Sequence, residues 1–472
     1  MPERCGKTGL WADSRQLTAL AVPIALTQLA QVALTTTDTV MMGLIGTTAL
    51  AAGGLAIVLF NQVRTMGVGL VTAVGNQVAA ANARDSTDRP AQLRELVGAG
   101  LVVATTAGVL GAAVLIGLGH ALVWFGQDPA VIEPAQQMSL ALAPGLVPCL
   151  WFNVIRQYTV GMRRPQALVW ITVASIAVNA GLNWGFIHGT GFLPQLGLTG
   201  IGLSTSLVYL LSFCALYLVT RRDPVLAPTL SLQVWRVRPA MVRRVLALGV
   251  PIAATYGSEA GFFSVVALVV GTFGASALAA HTVVSQLVYL VFQVTIGLSH
   301  AASISVSGEV ATGRIDAAAR VGRLTLIHGA AVMAIVAVVY LAAPGIVLRP
   351  FLDPADSTTL GIAITLLLIA ALLQFFDCAQ NIGVGLLRGV DDTNSGFRLT
   401  VIGYWLIGLP AAALLGLGVG TGPVGVWLGL MSGLAVTAVL LLRRFTSTLA
   451  QRRRQATNAP GPPGQPPRPC RQ

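Results

Sequence analysis

Between Leu17 and Leu442 the sequence divides into twelve long apolar runs separated by short polar connections. A bilayer's hydrocarbon core takes roughly 20 apolar residues per helix, and the runs meet that length. They lie at about residues 17–44, 49–75, 93–119, 135–160, 166–187, 196–220, 243–271, 276–303, 322–348, 359–386, 397–417 and 422–442. Only 10% of the 472 residues are charged and 55% are hydrophobic, against about 25% charged in a soluble protein. A membrane β-barrel would read as alternating strands of roughly ten residues, and these runs are too long and too uniform for that. The pattern predicts an all-α polytopic membrane protein with twelve transmembrane helices.

The net charge of +12 comes almost entirely from arginine. In a soluble chain it would suggest nucleic acid; its placement here points to topology. Basic residues stand at Arg4, Lys7 and Arg15, at Arg84, Arg89 and Arg94, at Arg163 and Arg164, and through residues 221–244. They recur at Arg314, Arg320 and Arg323, at Arg388 and Arg398, and from Arg443 onward. These are alternate connections, and the intervening ones carry almost no positive charge, Arg349 excepted. Positive residues mark the cytoplasmic side, so both termini and the 221–244 connection are expected in the cytoplasm. The first apolar run is too long for a cleavable signal. The five cysteines are scattered, with no C-x-x-C pair, and read as small packing residues rather than a disulfide framework. The five histidines are dispersed, and no metal-binding or phosphate-loop motif is present, so neither an enzyme nor a resident cofactor is expected.

The basic connection divides the chain into similar halves of six spans. "AVPIALT" (21–27) matches "GVPIAAT" (249–255), "WFNVIRQYTVG" (151–161) matches "FFDCAQNIGVG" (375–385), and "GLTG" (197–200) matches "GPVG" (422–425). The offsets are 228, 224 and 225 residues, in the same order along the chain. An even number of spans per half gives both the same orientation, so two pseudo-symmetric six-helix lobes are expected about an axis along the membrane normal. Transporters built from repeats bind near the midplane between them and rock one against the other. The expected units are a cytoplasmic N-terminal segment (1–16), an N-lobe (17–220), a linker (221–242), a C-lobe (243–442) and a disordered basic, Pro-rich tail (443–472).

Three acids interrupt the apolar runs: Asp38, Glu259 and Asp377. An acid at the bilayer centre costs at least about 2.5 kcal/mol on insertion scales, so such residues face a cavity or a partner. Gln28, Gln31, Thr35 and Asp38 recur at helical spacing on one face. Thr255, Ser258 and Glu259 cluster in the seventh run, and Gln374, Asp377 and Asn381 in the tenth. At 1.5 Å of rise per residue, Asp38, Asn179 and Thr205 all lie roughly 12–13 Å below the outer ends of their spans. Asp38, Asn179, Asn183 and Thr205 are therefore expected to share one layer of the N-lobe. A carboxylate with amide and hydroxyl oxygens suits Na⁺, or a proton held on Asp38. Glu259 and Asp377 make a second acidic centre in the C-lobe; Gln31 and Thr35 on the first span and Gln374 and Asn381 on the tenth are expected as supporting polar groups. The acid-free alternative for the uncharged stripes is interhelical hydrogen bonding. Arg64 is the odd cation, read as a salt-bridge partner or as a charge that neutralises the cavity. Trp124, Trp151, Trp235 and Trp405 read as interface anchors or packing residues.

The two six-span halves, "DTVMMG", "VGNQVAAANA" (74–83), "VNAGLNW", "PIAATYGSEAGFFSVVALVVGTFGASALAAH" and "FFDCAQNIGVGLLRG" resemble the multidrug and toxic compound extrusion (MATE) family over about residues 13–445. The seventh-span Glu and tenth-span acid are similar to its NorM-like branch. The resemblance implies a V-shaped, monomeric antiporter of the inner membrane that exports small cationic, often aromatic compounds in exchange for H⁺ or Na⁺. It implies a coupling-ion site at Asp38, Asn179 and Asn183, and a coupling-ion and substrate centre at Glu259 and Asp377, with Na⁺ at either. Some relatives carry a second acid where Asn183 stands, so Na⁺ binding in the N-lobe should be weaker here. Some carry Tyr where this chain has Leu373. A lipid-linked oligosaccharide flippase of the same superfamily, which should favour a strongly basic cavity, and an exporter of an unrelated metabolite are the alternatives.

Overall fold

The computed structural model describes residues 7–125, 129–190, 193–232, 234–352 and 356–458. The first six spans are α1 (Lys7–Ile45), α2 (Thr47–Ala83), α3 (Arg89–Ala121), α4 (Pro129–Gly161), α5 (Gln166–His188) and α6 (Gly197–Arg222). The second six are α7 (Pro239–Gly271), α8 (Ala275–Ala311), α9 (Ile315–Ala342), α10 (Ser357–Gly389), α11 (Thr393–Gly418) and α12 (Gly422–Asn458). In lipid every backbone polar group must be satisfied within its own segment, which the helices do. Two of them depart from the regular α form. A 3₁₀ turn at Ala143–Gly145 interrupts α4 beside Pro144. In α11, π turns at Ile402–Gly408 and Leu414–Gly418 flank Pro410, whose missing N–H and bulky ring disturb the helical ladder.

The repeat is visible atom by atom. Pro23 lies inside α1 and Pro251 inside α7, and each is followed by a threonine whose hydroxyl donates to the proline carbonyl at 2.8 Å (Thr27 and Thr255). A Cβ on Gly161 would meet Gly75 O and Val78, and one on Gly389 would meet Ser303 O and Val306. Arg163 and Asp391, the non-glycine residues with positive φ among the described ones (59° and 62°), close α4 and α10 in the same left-handed turn. All these pairs stand 228 residues apart. The fourth and tenth spans therefore correspond at 228, not at the 224 read from their sequences. The two registers differ by four residues, about one helical turn, and a one-turn slip leaves the same residues on the same face. Asn153 thus corresponds to Asn381, and Asp377 to Cys149.

The lobes meet along a seam built from the same repeat. A Cβ on Gly297 of α8 would lie 2.7 Å from Ala25 Cβ of α1, and one on Gly69 of α2 would lie 2.6 Å from Ala253 Cα of α7. Small residues let backbones approach where lipid supplies no hydrophobic drive. Further toward the basic connections, Ser303 Oγ donates to Asn76 Oδ1 at 3.0 Å and Ser307 Oγ to Asn76 O at 2.8 Å. Gln77 Nε2 donates to Asp391 Oδ1 at 2.8 Å, and Arg320 lies 3.5 Å from Asp13. Burial pushes the Asp391 carboxyl above its ordinary value, with the Gln77 hydrogen bond opposing. These contacts close the seam on the side of the basic connections.

The linker is docked rather than loose. Tyr158 OH donates to Leu226 O, Arg94 Nε to Pro228 O, both at 2.8 Å, and Arg238 pairs with Glu95. The helix α12 runs to Asn458, so residues 443–458, read above with the tail, continue the twelfth helix. Arg444 pairs with Asp392 at 2.7 Å and Arg452 caps Val390 O there. The rest of that expected tail, like Cys5 and Cys470, lies outside the described residues. Cys149 and Cys378 are buried, while Cys214 is exposed.

Candidate functional site

Asp38 is carried by the C-terminal half of α1, a helix that packs against α5 and α6 of its own lobe. Asp38 is buried, 4% exposed. Asn183 Nδ2 donates to Asp38 Oδ1 at 2.8 Å and also reaches Asn179 Oδ1 at 3.2 Å, across one turn of α5. Thr205 Oγ1 of α6 lies 3.0 Å from Asp38 Oδ2. The four residues expected to share a layer are thus in one hydrogen-bonded cluster. Asn183 Oδ1 and Asn179 Nδ2 are buried without partners, which is costly unless something polar arrives. No cation pairs with Asp38 among the described residues. The donor set is one carboxylate with neutral oxygens, and no group of three His, Cys, Asp or Glu side chains is present among the described residues. That set fits a proton or a monovalent cation better than a divalent metal.

Gln31 and Thr35, two turns and one turn before Asp38, line a neighbouring cavity with Arg64, Phe152, Ser175 and Tyr209. Arg64 Nε donates to Asn61 Oδ1 at 3.2 Å, one turn earlier on α2. Among the described residues it has no carboxylate partner, so the salt bridge considered for it is absent. Arg64 lines that cavity, with Tyr209, Cys149 and Tyr289 within its electrostatic reach.

The second centre joins α7, α10 and α11. Glu259 accepts a hydrogen bond from Tyr404 OH at 3.3 Å. Asp377 is 5% exposed, its Oδ1 has no partner, and Glu259 lies within its electrostatic reach. Gln374, one turn before it, is buried with both amide atoms unpaired. Asn381, one turn after it, is buried, and Ser299 Oγ bonds its backbone carbonyl at 2.7 Å. Aromatic rings wall the acids. Phe262 stacks on Tyr404 at 4.8 Å, and Trp405 meets Phe262 edge-on while its Nε1 donates to Ser258 Oγ at 2.8 Å. Trp405 therefore belongs to this wall, whereas Trp124 and Trp235 are 86% and 76% exposed, as interface anchors should be.

Tyr404 carried no signal in the sequence, because nothing there placed the π-helical segment of α11 over Glu259. Arg156 and Arg388 are further cations within the spans that the apolar pattern does not single out. They are 5% and 2% exposed, so Arg64 is not alone in the spans and Arg388 is not a loop charge.

With this geometry in place, comparison with known proteins is decisive for the family. The MatE family model matches residues 23–184 and again 251–414, once in each lobe. The chain belongs to the MatE family. It is 39% identical over 438 residues to a probable multidrug resistance protein NorM of Pseudomonas aeruginosa, covering 92% of this chain and 89% of that one. A probable multidrug resistance protein NorM of Bradyrhizobium diazoefficiens is 38% identical over 432 residues, covering 90% and 91%. Among solved structures, the eukaryotic MATE transporter AtDTX14 superposes with a TM-score of 0.82 at 20% identity, covering 95% of this chain and 99% of that one. An outward-facing multidrug resistance MATE family transporter of the MOP superfamily does so with a TM-score of 0.83 at 17% identity, covering 96% and 100%. The twelve-helix, two-lobe MATE fold is thus established for this MatE-family chain.

Proposed function

We propose that this protein is a secondary active antiporter that exports small cationic, lipophilic compounds across the plasma membrane in exchange for H⁺ or Na⁺, working as a monomer with both termini in the cytoplasm. The observation that carries the reading is the pair Glu259 and Asp377: two intramembrane acids within electrostatic reach of each other, with aromatic rings around Glu259 and no cation within ion-pair distance among the described residues. Carboxylates held this way attract a cation and lose that attraction when a proton or Na⁺ takes it up. Aromatic faces add attraction for organic cations. Supporting evidence comes from the family and from the names of the NorM relatives.

In this scheme the seam closed on the basic side corresponds to the outward-facing state. Substrate enters from the cytoplasm after the lobes rock, and pairs with an ionised C-lobe acid. Once the cavity opens outward, H⁺ or Na⁺ claims the acid and the substrate leaves. Asp38, with Asn179, Asn183 and Thr205, holds a second coupling ion in the N-lobe. One H⁺ exchanged for one monovalent substrate moves no net charge. Drawing on the voltage, about 2.3 kcal/mol per charge per 100 mV, requires two coupling ions per substrate, and two acidic centres accommodate them.

The test is competition in the purified protein. Affinity for a fluorescent cationic dye, followed by anisotropy, should fall as pH is lowered or Na⁺ is raised. Affinity that responds to neither would remove the basis of the scheme. The N-lobe site carries its own expectation. Asn183→Asp adds a second carboxylate beside Asp38, and since ligand charge count tunes ion affinity, Na⁺ should bind about tenfold tighter at alkaline pH. Direct ²²Na⁺ binding measures this, and unchanged affinity would place the Na⁺ elsewhere.

A further inference from the structure

Arg156 of α4 and Arg388 of α10 come from different lobes, and each is at least nine-tenths buried. Among the described residues neither has a carboxylate within 4.0 Å. Arg156 NH1 donates to Gln28 Oε1 at 2.9 Å. Arg388 NH1 donates to Tyr256 OH at 2.9 Å and NH2 to Ser299 Oγ at 3.0 Å, with the guanidinium carbon 6.0 Å from the Tyr256 ring centroid. Arg388 Nε is buried with no acceptor. The two cations belong to one cluster, since both act on His300 and Arg156 also senses Tyr256.

Arg388 stands one residue from the end of α10, yet it points back into the membrane. A helical Cα–Cβ bond tilts toward the N-terminus, which here turns the side chain toward Tyr256 and Ser299. Guanidiniums buried without a counter-charge are expensive, and neutral side chains would join these helices at lower cost. An intramembrane charge of this kind marks a functional site whose partner must be named. One candidate is Glu259, which senses the charge of Arg388 but forms no ion pair with it. A carboxylate and a guanidinium thus stand within electrostatic reach of each other without touching.

We propose that Arg388, with Arg156 beside it, binds the carboxylate of amphoteric substrates whose amine is held at Glu259 and Asp377. The proposal deepens the export function above and rests on it for the amine end. A guanidinium presents two parallel N–H donors matched to a carboxylate, and the unpartnered Nε of Arg388 is available for that fork. An amphoteric aromatic compound would satisfy the acids and the arginines at once, whereas a simple cation satisfies only the acids.

The test compares a rhodamine bearing a free carboxylate with the methyl ester of the same dye, which is cationic only. Binding of both to the full chain in detergent micelles is followed by anisotropy for wild type, Arg388→Gln, Arg156→Gln and Arg388→Lys. Loss of a charge-assisted fork should weaken the free acid about tenfold or more, with the ester within about twofold. Arg388→Lys should recover part of the loss. Free acid and ester weakened in parallel, or neither weakened, would overturn the anion site in favour of a structural role. Wild type that binds the acid in an arginine-dependent way but not the ester would retain the anion site and remove the cation reading instead. Wild type that binds neither dye overturns both.

Discussion

Asp377→Asn is expected to abolish gradient-driven efflux while the protein still folds and inserts. Asparagine keeps the shape of the side chain and removes its charge. A desolvated charge pair broken on one side costs about 2 to 5 kcal/mol, which is roughly thirty- to several-thousand-fold in affinity. Asp377 is buried with an unpaired oxygen and no compensating cation, so nothing in the resting structure depends on its charge. The variant should therefore show unchanged monodispersity and thermal stability together with lost dye export. Export at the wild-type rate would mean that Glu259 alone carries substrate and coupling ion.

Gly297→Leu is expected to drive the molecule out of the conformation described here. A Cβ at that position meets Ala25 Cβ at 2.7 Å, and the rest of a leucine has no room in the seam. Overpacking of this kind costs about 1–3 kcal/mol, roughly five- to 150-fold in a two-state ratio. The cost falls only on the state in which α8 touches α1, so the lobes should part on the basic side. Distances between spin labels at Ser86 and Ala317, with native cysteines replaced, should lengthen by double electron–electron resonance. Gly69→Leu should act alike through Ala253, while Gly54→Leu, where a Cβ meets nothing within 4 Å, should leave the distances unchanged. A distance distribution identical to wild type in both seam variants would mean the seam does not gate the cavity.

Much of this arrangement is legible in the sequence because lipid narrows the choices. Apolar length gave the spans, and helical rise placed Asp38, Asn179, Asn183 and Thr205 at one depth, where they are hydrogen-bonded. Depth says nothing about azimuth, however. Gln31 and Thr35 share a face with Asp38 yet line a neighbouring cavity, and Tyr404 reaches Glu259 only through a π-helical segment. Sequence places the Arg388 Cα near a helix end, where it reads as a loop charge, while its side chain turns back to Tyr256 and Ser299. The register of the fourth and tenth spans slipped by a turn for a related reason. Apolar helices match themselves nearly as well one turn out of step, and only packing, as at Gly161 and Gly389, selects the true pairing.

The central claim is that cation movement into the cavity drives export through the C-lobe acids. Its most direct test is efflux of a fluorescent cationic dye from proteoliposomes containing the purified full chain, under an imposed pH gradient and separately under a Na⁺ gradient. The account predicts that at least one gradient drives efflux in wild type and that neither does so in the Glu259→Gln, Asp377→Asn double variant. Gradient-driven efflux that persists in the double variant would contradict it.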